Sequence, residues 1–269
     1  MLDYQELIGR YSEKNTANEA DYAKAWLQVA SRKEDLVELA VIGGLLADRM
    51  AWVFVAGYQS ALRHTFASIP LDGIGAFAVS EDRKGDPPLP GVRSHHHEGQ
   101  LHVSGYKTWV ACSQSLAYLI IKADGGEAAR YYCLPRQTAG LTLQDKHGNF
   151  LSEMSQGVAQ LDGVAVPEAL DHGAVGWFGI RETLYIYMAF CAWAGKRGAS
   201  TADCQGLLNR LAALVAQPPV DASRLEELKA VDASVQGLRA ALALEDDERW
   251  QADQRLIAMY SPSIQKRQI

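Results

Sequence analysis

The chain has 269 residues, 48% hydrophobic and 22% charged, and a formal net charge of -6. This is an ordinary globular composition with apolar side chains enough for a sizeable core, and the acidic balance, with no long Lys/Arg block, argues against nucleic acid as a partner. Cys112, Cys133, Cys191 and Cys204 are widely spaced and form no Cys-x-x-Cys pair, which argues against a zinc ribbon or a disulfide framework and fits a reducing cytoplasm. The start of the chain shows no basic segment leading into an apolar one, and no apolar run reaches about 18 residues. A soluble, cytoplasmic protein without a membrane partner is therefore expected.

From Leu2 to about Phe66, apolar residues recur at helical spacing, as in Tyr22, Trp26 and Val29, then Leu36, Leu39, Ala40 and Ile42. This predicts an N-terminal helical segment over 1–68. Asn18, followed by Glu19 and Asp21, is placed to cap one helix and to put acids at its positive end. The stretch Ile69-Pro70-Leu71-Asp72-Gly73 ends the pattern. Short runs rich in β-branched and aromatic residues then predict strands at 74–79, 92–97, 100–103, 107–111, 116–122, 130–134 and 158–164. Glu98-Gly99 reads as the turn between the second and third. A central antiparallel β-barrel or sandwich over 69–172 is expected. Helical spacing returns over 173–269, at 177–197, 202–216, 222–244 and 248–268, with Pro218-Pro219 separating the middle pair. The class is α+β: helices, then strands, then a helical bundle.

Four stretches stand in one order along the chain: Gly57-Tyr58-Gln59-Ser60-Ala61-Leu62; Phe77-Ala78-Val79-Ser80-Glu81 with Gly85-Asp86; Gly105-Tyr106-Lys107-Thr108-Trp109-Val110-Ala111; and Val158-Ala159-Gln160-Leu161-Asp162-Gly163-Val164-Ala165-Val166-Pro167. Together they resemble the acyl-CoA dehydrogenase family, as a shortened and divergent member. The resemblance implies an FAD cofactor, with Trp109 as a wall of the flavin, Val79 and Ser80 at its polar edge, and Ala111 where the family carries Ser or Thr. It also implies removal of an α-proton and a β-hydride from an acyl thioester, and assembly as a homodimer or tetramer, or as a hetero-oligomer with a full-length relative. The electron acceptor is left open. The residues suit this reading, since an isoalloxazine ring needs one aromatic or apolar wall and hydrogen-bonding groups at its pyrimidine edge. The competing reading of Trp109 is a core aromatic on a half-buried strand.

The base implied by the resemblance is a carboxylate, most often Glu, near the C-terminus in most members and on the first helix after the β-domain in a minority. The stretch 250–268 holds no counterpart of the first kind. Glu182, in Phe178-Gly179-Ile180-Arg181-Glu182, stands at the second place, and burial in its apolar helix would raise its pKa. The competing reading makes Arg181 and Glu182 a solvated first turn. The Arg-x-x-Phe-Gly and Gln-x-x-Gly-Gly segments that hold the far half of FAD in the family have no counterpart after Arg197. A catalytically degenerate partner subunit or binding module is thus the alternative.

His95-His96-His97 raises metal binding, but alternation puts only His95 and His97 on one face, with no third ligand evident, so a solvated hairpin edge is expected and no metal. Gly43-Gly44 and Gly73 to Gly75 lack phosphate-loop spacing, and no Gly-x-Ser-x-Gly elbow occurs. The run 183–193, with Leu184, Tyr185, Ile186, Tyr187, Met188 and Phe190, is apolar nearly all round, as in a core helix or an oligomer seam.

Overall fold

In the computed structural model, which describes all residues except 1, 71, 172, 174, 218–220 and 269, the strands are preceded by helices α1 (Tyr4–Arg10), α2 (Glu19–Ala30), α3 (Leu36–Leu46) and α4 (Met50–Thr65). Asn18 caps α2 by accepting from the Asp21 N–H at 3.0 Å, which serves one of the free donors of the first turn. After the strands come α5 (Phe178–Gly195), α6 (Thr201–Ala216), α7 (Ala222–Ala241), α8 (Glu248–Asp253) and α9 (Arg255–Gln265). The expected helix over 248–268 is thus two, parted at Gln254. The Pro218-Pro219 break lies outside the described residues.

Met1–Thr65 and Trp177–Ile269 form one compact unit and Phe66–Gly176 a second. The axis of the helical unit is α5, buried from Thr183 to Ala194 without interruption and flanked by α3, α4 and α6. Two glycines allow its neighbours to come this close. A Cβ at Gly44 of α3 would overlap the Ala189 carbonyl, and one at Gly57 of α4 would overlap the Ile186 backbone. Trp193 stacks on Trp250 at 5.3 Å between centroids. The apolar surface of α5 is therefore covered within the unit, as for a core helix. Among the described residues no helix is long and apolar enough to cross a membrane.

The second unit holds two sheets. One has the order β1-β4-β5, from β1 (Ile74–Ala78), β4 (Leu116–Ala123) and β5 (Arg130–Pro135); the other has the order β2-β3-β7-β6, from β2 (Arg93–His97), β3 (Gln100–Ala111), β7 (Gln156–Ala165) and β6 (Leu141–Lys146). Val103, Val110, Leu119, Ile121, Leu134 and Leu161 belong to one apolar core drawn from both sheets. Among the described residues neither sheet closes into a barrel, because each ends on strands without a second partner strand. Nor is the pairing antiparallel throughout: β1 and β4 run parallel, being joined through the β2–β3 hairpin rather than by a tight turn.

Two expected strands, 100–103 and 107–111, are one, β3. Gly105 reads as a break but serves a close approach: its φ is 131°, and a Cβ there would overlap the Gly91 carbonyl oxygen. Only glycine takes this conformation without strain. The strand β6 was not expected, since this edge strand is mostly exposed and its Gln144-Asp145-Lys146 end lacks the apolar alternation that marks a strand. The Glu98-Gly99 turn has φ of 50° and 79°, both positive, as a two-residue hairpin loop requires.

Candidate functional site

The Gly105 to Ala111 segment owes its geometry to an irregular pairing of β3 with β7. Lys107 faces Ala159 and Val110 faces Gly157, so three residues of β3 span two of β7. One extra residue is a bulge, and it inverts the in–out alternation. Before it, Val103, Gly105 and Lys107 point inward; after it, Val110 does. Without the extra residue Trp109 would share the inward parity of Lys107. The bulge turns it out of the core, where it is half-buried. Its indole Nε1 donates to Gln156 Oε1 at 3.1 Å, and Gln156 Nε2 donates in turn to the Phe150 carbonyl at 2.8 Å. The ring is therefore held by its edge.

The end of β1 is tied to the same bulge. The Thr108 N–H donates to the Ser80 carbonyl at 2.9 Å, which puts Val79-Ser80 beside Trp109. Val79 is 43% exposed, although β1 before it is buried at every residue, and Ser80 is exposed. An exposed apolar side chain, a hydroxyl and a half-open indole thus form a ledge. Ala111 differs, since it is fully buried.

Beneath the ledge lies an ion pair that sequence reasoning did not identify. Lys107 Nζ, fully buried, donates to Glu81 Oε1 at 2.6 Å; the same oxygen accepts from the Val92 N–H at 3.2 Å. Burial pushes the Glu81 carboxyl up, but the hydrogen bond and charge of Lys107, helped by Arg93 and the Val92 N–H, outweigh it and hold the pKa below the usual glutamate value. Burial lowers that of Lys107, against the upward pull of Glu81. A Cβ at Gly91 would overlap this carboxylate. The nearby Gly85-Asp86 turn is organised by Asp82, which accepts from the backbone N–H groups of Leu89, Lys84 and Gly85.

Glu182 belongs to the helical unit. It lies on α5, half-buried, and accepts from the Tyr260 hydroxyl at 3.3 Å. Burial drives its pKa up to about 7, against the smaller lowering by that hydrogen bond. Arg181 turns elsewhere, its Nη1 lying 3.4 Å from Thr65 Oγ1. Neither Gln156 nor Tyr260 was marked by sequence reasoning. Gln156 precedes the apolar run that announced its strand, and Tyr260 meets Glu182 only through helix packing.

No protein-family model matches the chain, and no curated protein matches its sequence. Its fold, however, is shared with solved structures of FAD-dependent dehydrogenases and acyl-CoA dehydrogenases. The chain is similar to the structure of PigA with FAD and proline at 13% identity and a TM-score of 0.65, with 98% of this chain and 90% of that chain covered. It is similar to the prolyl acyl carrier protein oxidase AnaB at 12% identity and a TM-score of 0.64, covering 97% and 90% of the two chains. With butyryl-CoA dehydrogenase from Megasphaera elsdenii the identity is 10%, the TM-score 0.57 and the coverage 99% of each chain.

Proposed function

We propose that this chain is a flavin-dependent oxidoreductase of acyl-CoA dehydrogenase type that acts on an acyl thioester. The observation that carries this reading is the β3 bulge, which turns Trp109 out of the core and sets it against the exposed Val79-Ser80 end of β1. A protein with no flat ligand to cover would lose apolar burial by turning a Trp outward. The residues fit half of the cofactor: Trp109 as the apolar wall, with Val79 and Ser80 offering backbone groups and a hydroxyl at the polar edge. Ala111, with its methyl buried, would contribute only main chain. FAD, when bound, supplies a hydride acceptor.

Glu182 is the base in this reading. A carboxylate with a pKa near 7 is ionised in part at neutral pH and basic enough to take up an α-proton. Tyr260, donating to Oε1, fixes the orientation of that carboxylate. Three structural neighbours named as dehydrogenases or oxidases support flavin redox chemistry for the scaffold, and two of them name a thioester carrier, CoA or an acyl carrier protein. A soluble assembly of two or more subunits belongs to the same proposal.

The test is direct. The purified chain, incubated with excess FAD and freed of unbound flavin, should retain the visible absorption of a flavoprotein, and an acyl thioester should bleach it. A colourless chain that takes up no FAD would overturn the proposal. The alternative, a partner subunit without turnover, draws on the missing far-half FAD segments after Arg197 and on the missing hydroxyl at Ala111. It predicts flavin uptake or partner binding without bleaching by any acyl thioester.

A further inference from the structure

The β2–β3 hairpin carries three imidazoles on one face. His95 and His102 are directly opposed across the strands, with ring centroids 6.0 Å apart. His97, two residues along β2 and so on the face of His95, has its ring 5.7 Å from His102. The neighbouring Val103 points into the core, so alternation turns His102 outward. The third ligand that the His95-His96-His97 run lacked in sequence is therefore supplied by the partner strand.

His102 is also oriented. Its Nδ1 lies 2.8 Å from the Gly163 carbonyl oxygen; a carbonyl only accepts, so Nδ1 carries the proton and Nε2 presents its lone pair. A backbone carbonyl on the second ring nitrogen is the arrangement that fixes tautomer and direction in metal-ligating histidines. The charge around the group permits a cation. The Glu98 carboxylate lies 4.0 Å from His97 Nε2, while Arg93, on the same face of β2, is turned onto the Val92 carbonyl and Glu81.

In the conformation shown, no three His, Cys, Asp or Glu groups among the described residues converge on one point. Nitrogen–metal bonds of about 2.0–2.1 Å put imidazole centroids about 5 Å apart in a tetrahedral site, so the two measured separations exceed that by about 1 Å or less. His95 and His97 are exposed, and side-chain rotation on a backbone already in register covers a gap of that size.

We propose that His95, His97 and His102 form a surface site for a divalent transition-metal ion that favours imidazole, the class of Zn²⁺, Ni²⁺ and Cu²⁺. The proposal is independent of flavin chemistry. The untagged chain, stripped with a chelator and titrated with Ni²⁺ in a calorimeter, should bind one equivalent. His95→Ala and His102→Ala should each weaken binding by about tenfold or more. His96→Ala, on the opposite face, should bind as the parent does, and far-UV circular dichroism should be unchanged throughout. As a check without substitutions, Ni²⁺ should protect His95, His97 and His102, and not His96, from acylation by diethyl pyrocarbonate. Absence of saturable binding, an equal loss with His96→Ala, or equal protection of all four rings would overturn the site.

Discussion

Glu81→Gln should destabilise the chain more than Lys107→Met, although both break the same ion pair. With Gln at 81, the Lys107 ammonium stays fully buried and loses its counter-charge. Removing one partner of a buried pair costs about 3–5 kcal/mol, and since the Glu81 side chain is 26% exposed, water offsets part of that, leaving about 2–3 kcal/mol. For a chain of this size that is a fall in Tm of about 5–10 °C. Methionine at 107 keeps the apolar stem and removes the buried charge; Glu81 keeps the Val92 N–H, Arg93 at 3.5 Å and water. The cost there should be about 1 kcal/mol or less. The sign of the pH dependence follows from the lowered pKa of Glu81. A carboxylate with a depressed native pKa stabilises fully above its unfolded value, about 4.3, and loses that contribution as pH falls through the native value. The gap between parent and Glu81→Gln should therefore be wide at pH 7 and close toward pH 3. Thermal and urea unfolding followed by circular dichroism measure both. A Lys107→Met variant as unstable as Glu81→Gln, or a gap that does not change with pH, would refute the reasoning.

Three further outcomes are expected. Trp109→Ala should weaken FAD binding about three- to tenfold, from the loss of one stacked aromatic, and leave the fold intact, because the indole lies outside the core; flavin fluorescence titration measures it. Glu182→Gln should lower turnover by about 10²–10⁴-fold and remove the limb of the rate profile that rises with pH through about 7. Because a raised carboxyl pKa gives stability that is lost as pH rises through the native value, this variant should also be more resistant to urea than the parent at pH 8 and no more so at pH 4. Gly44→Ala should cost about 3 kcal/mol by urea unfolding, since its Cβ would meet the Ala189 backbone carbonyl rather than a side chain that could yield.

The order of elements other than β6 was legible because each rests on local signals: helical spacing of apolar residues, the Asn18 cap, and the glycine of the Glu98-Gly99 turn. What escaped was whatever depends on pairing between distant segments. Gly105 reads as a break until Gly91 is seen to run against it. The pair of Glu81 and Lys107 is 26 residues apart in sequence, and nothing local marks either as buried. His102 becomes the partner of His95 only through the register of the hairpin. The motif around Trp109 could be read, but whether the Trp faces in or out could not, since periodicity gives no notice of a single extra residue.

That extra residue has a counterpart. Between Val103 and Gly105 the surplus lies on β7, and between Lys107 and Val110 it lies on β3. The two slips are opposite and equal, so the ladder leaves its frame for the few pairs from Gly105 to Lys107 and then returns to it. The ledge is thus a self-contained excursion, and the strand ends stay aligned with β2 and β6 whatever happens within it. Side chains there can be exchanged to suit another ligand without resetting the sheet, whereas deleting one residue from either slip alone would carry its error to the end of the strand.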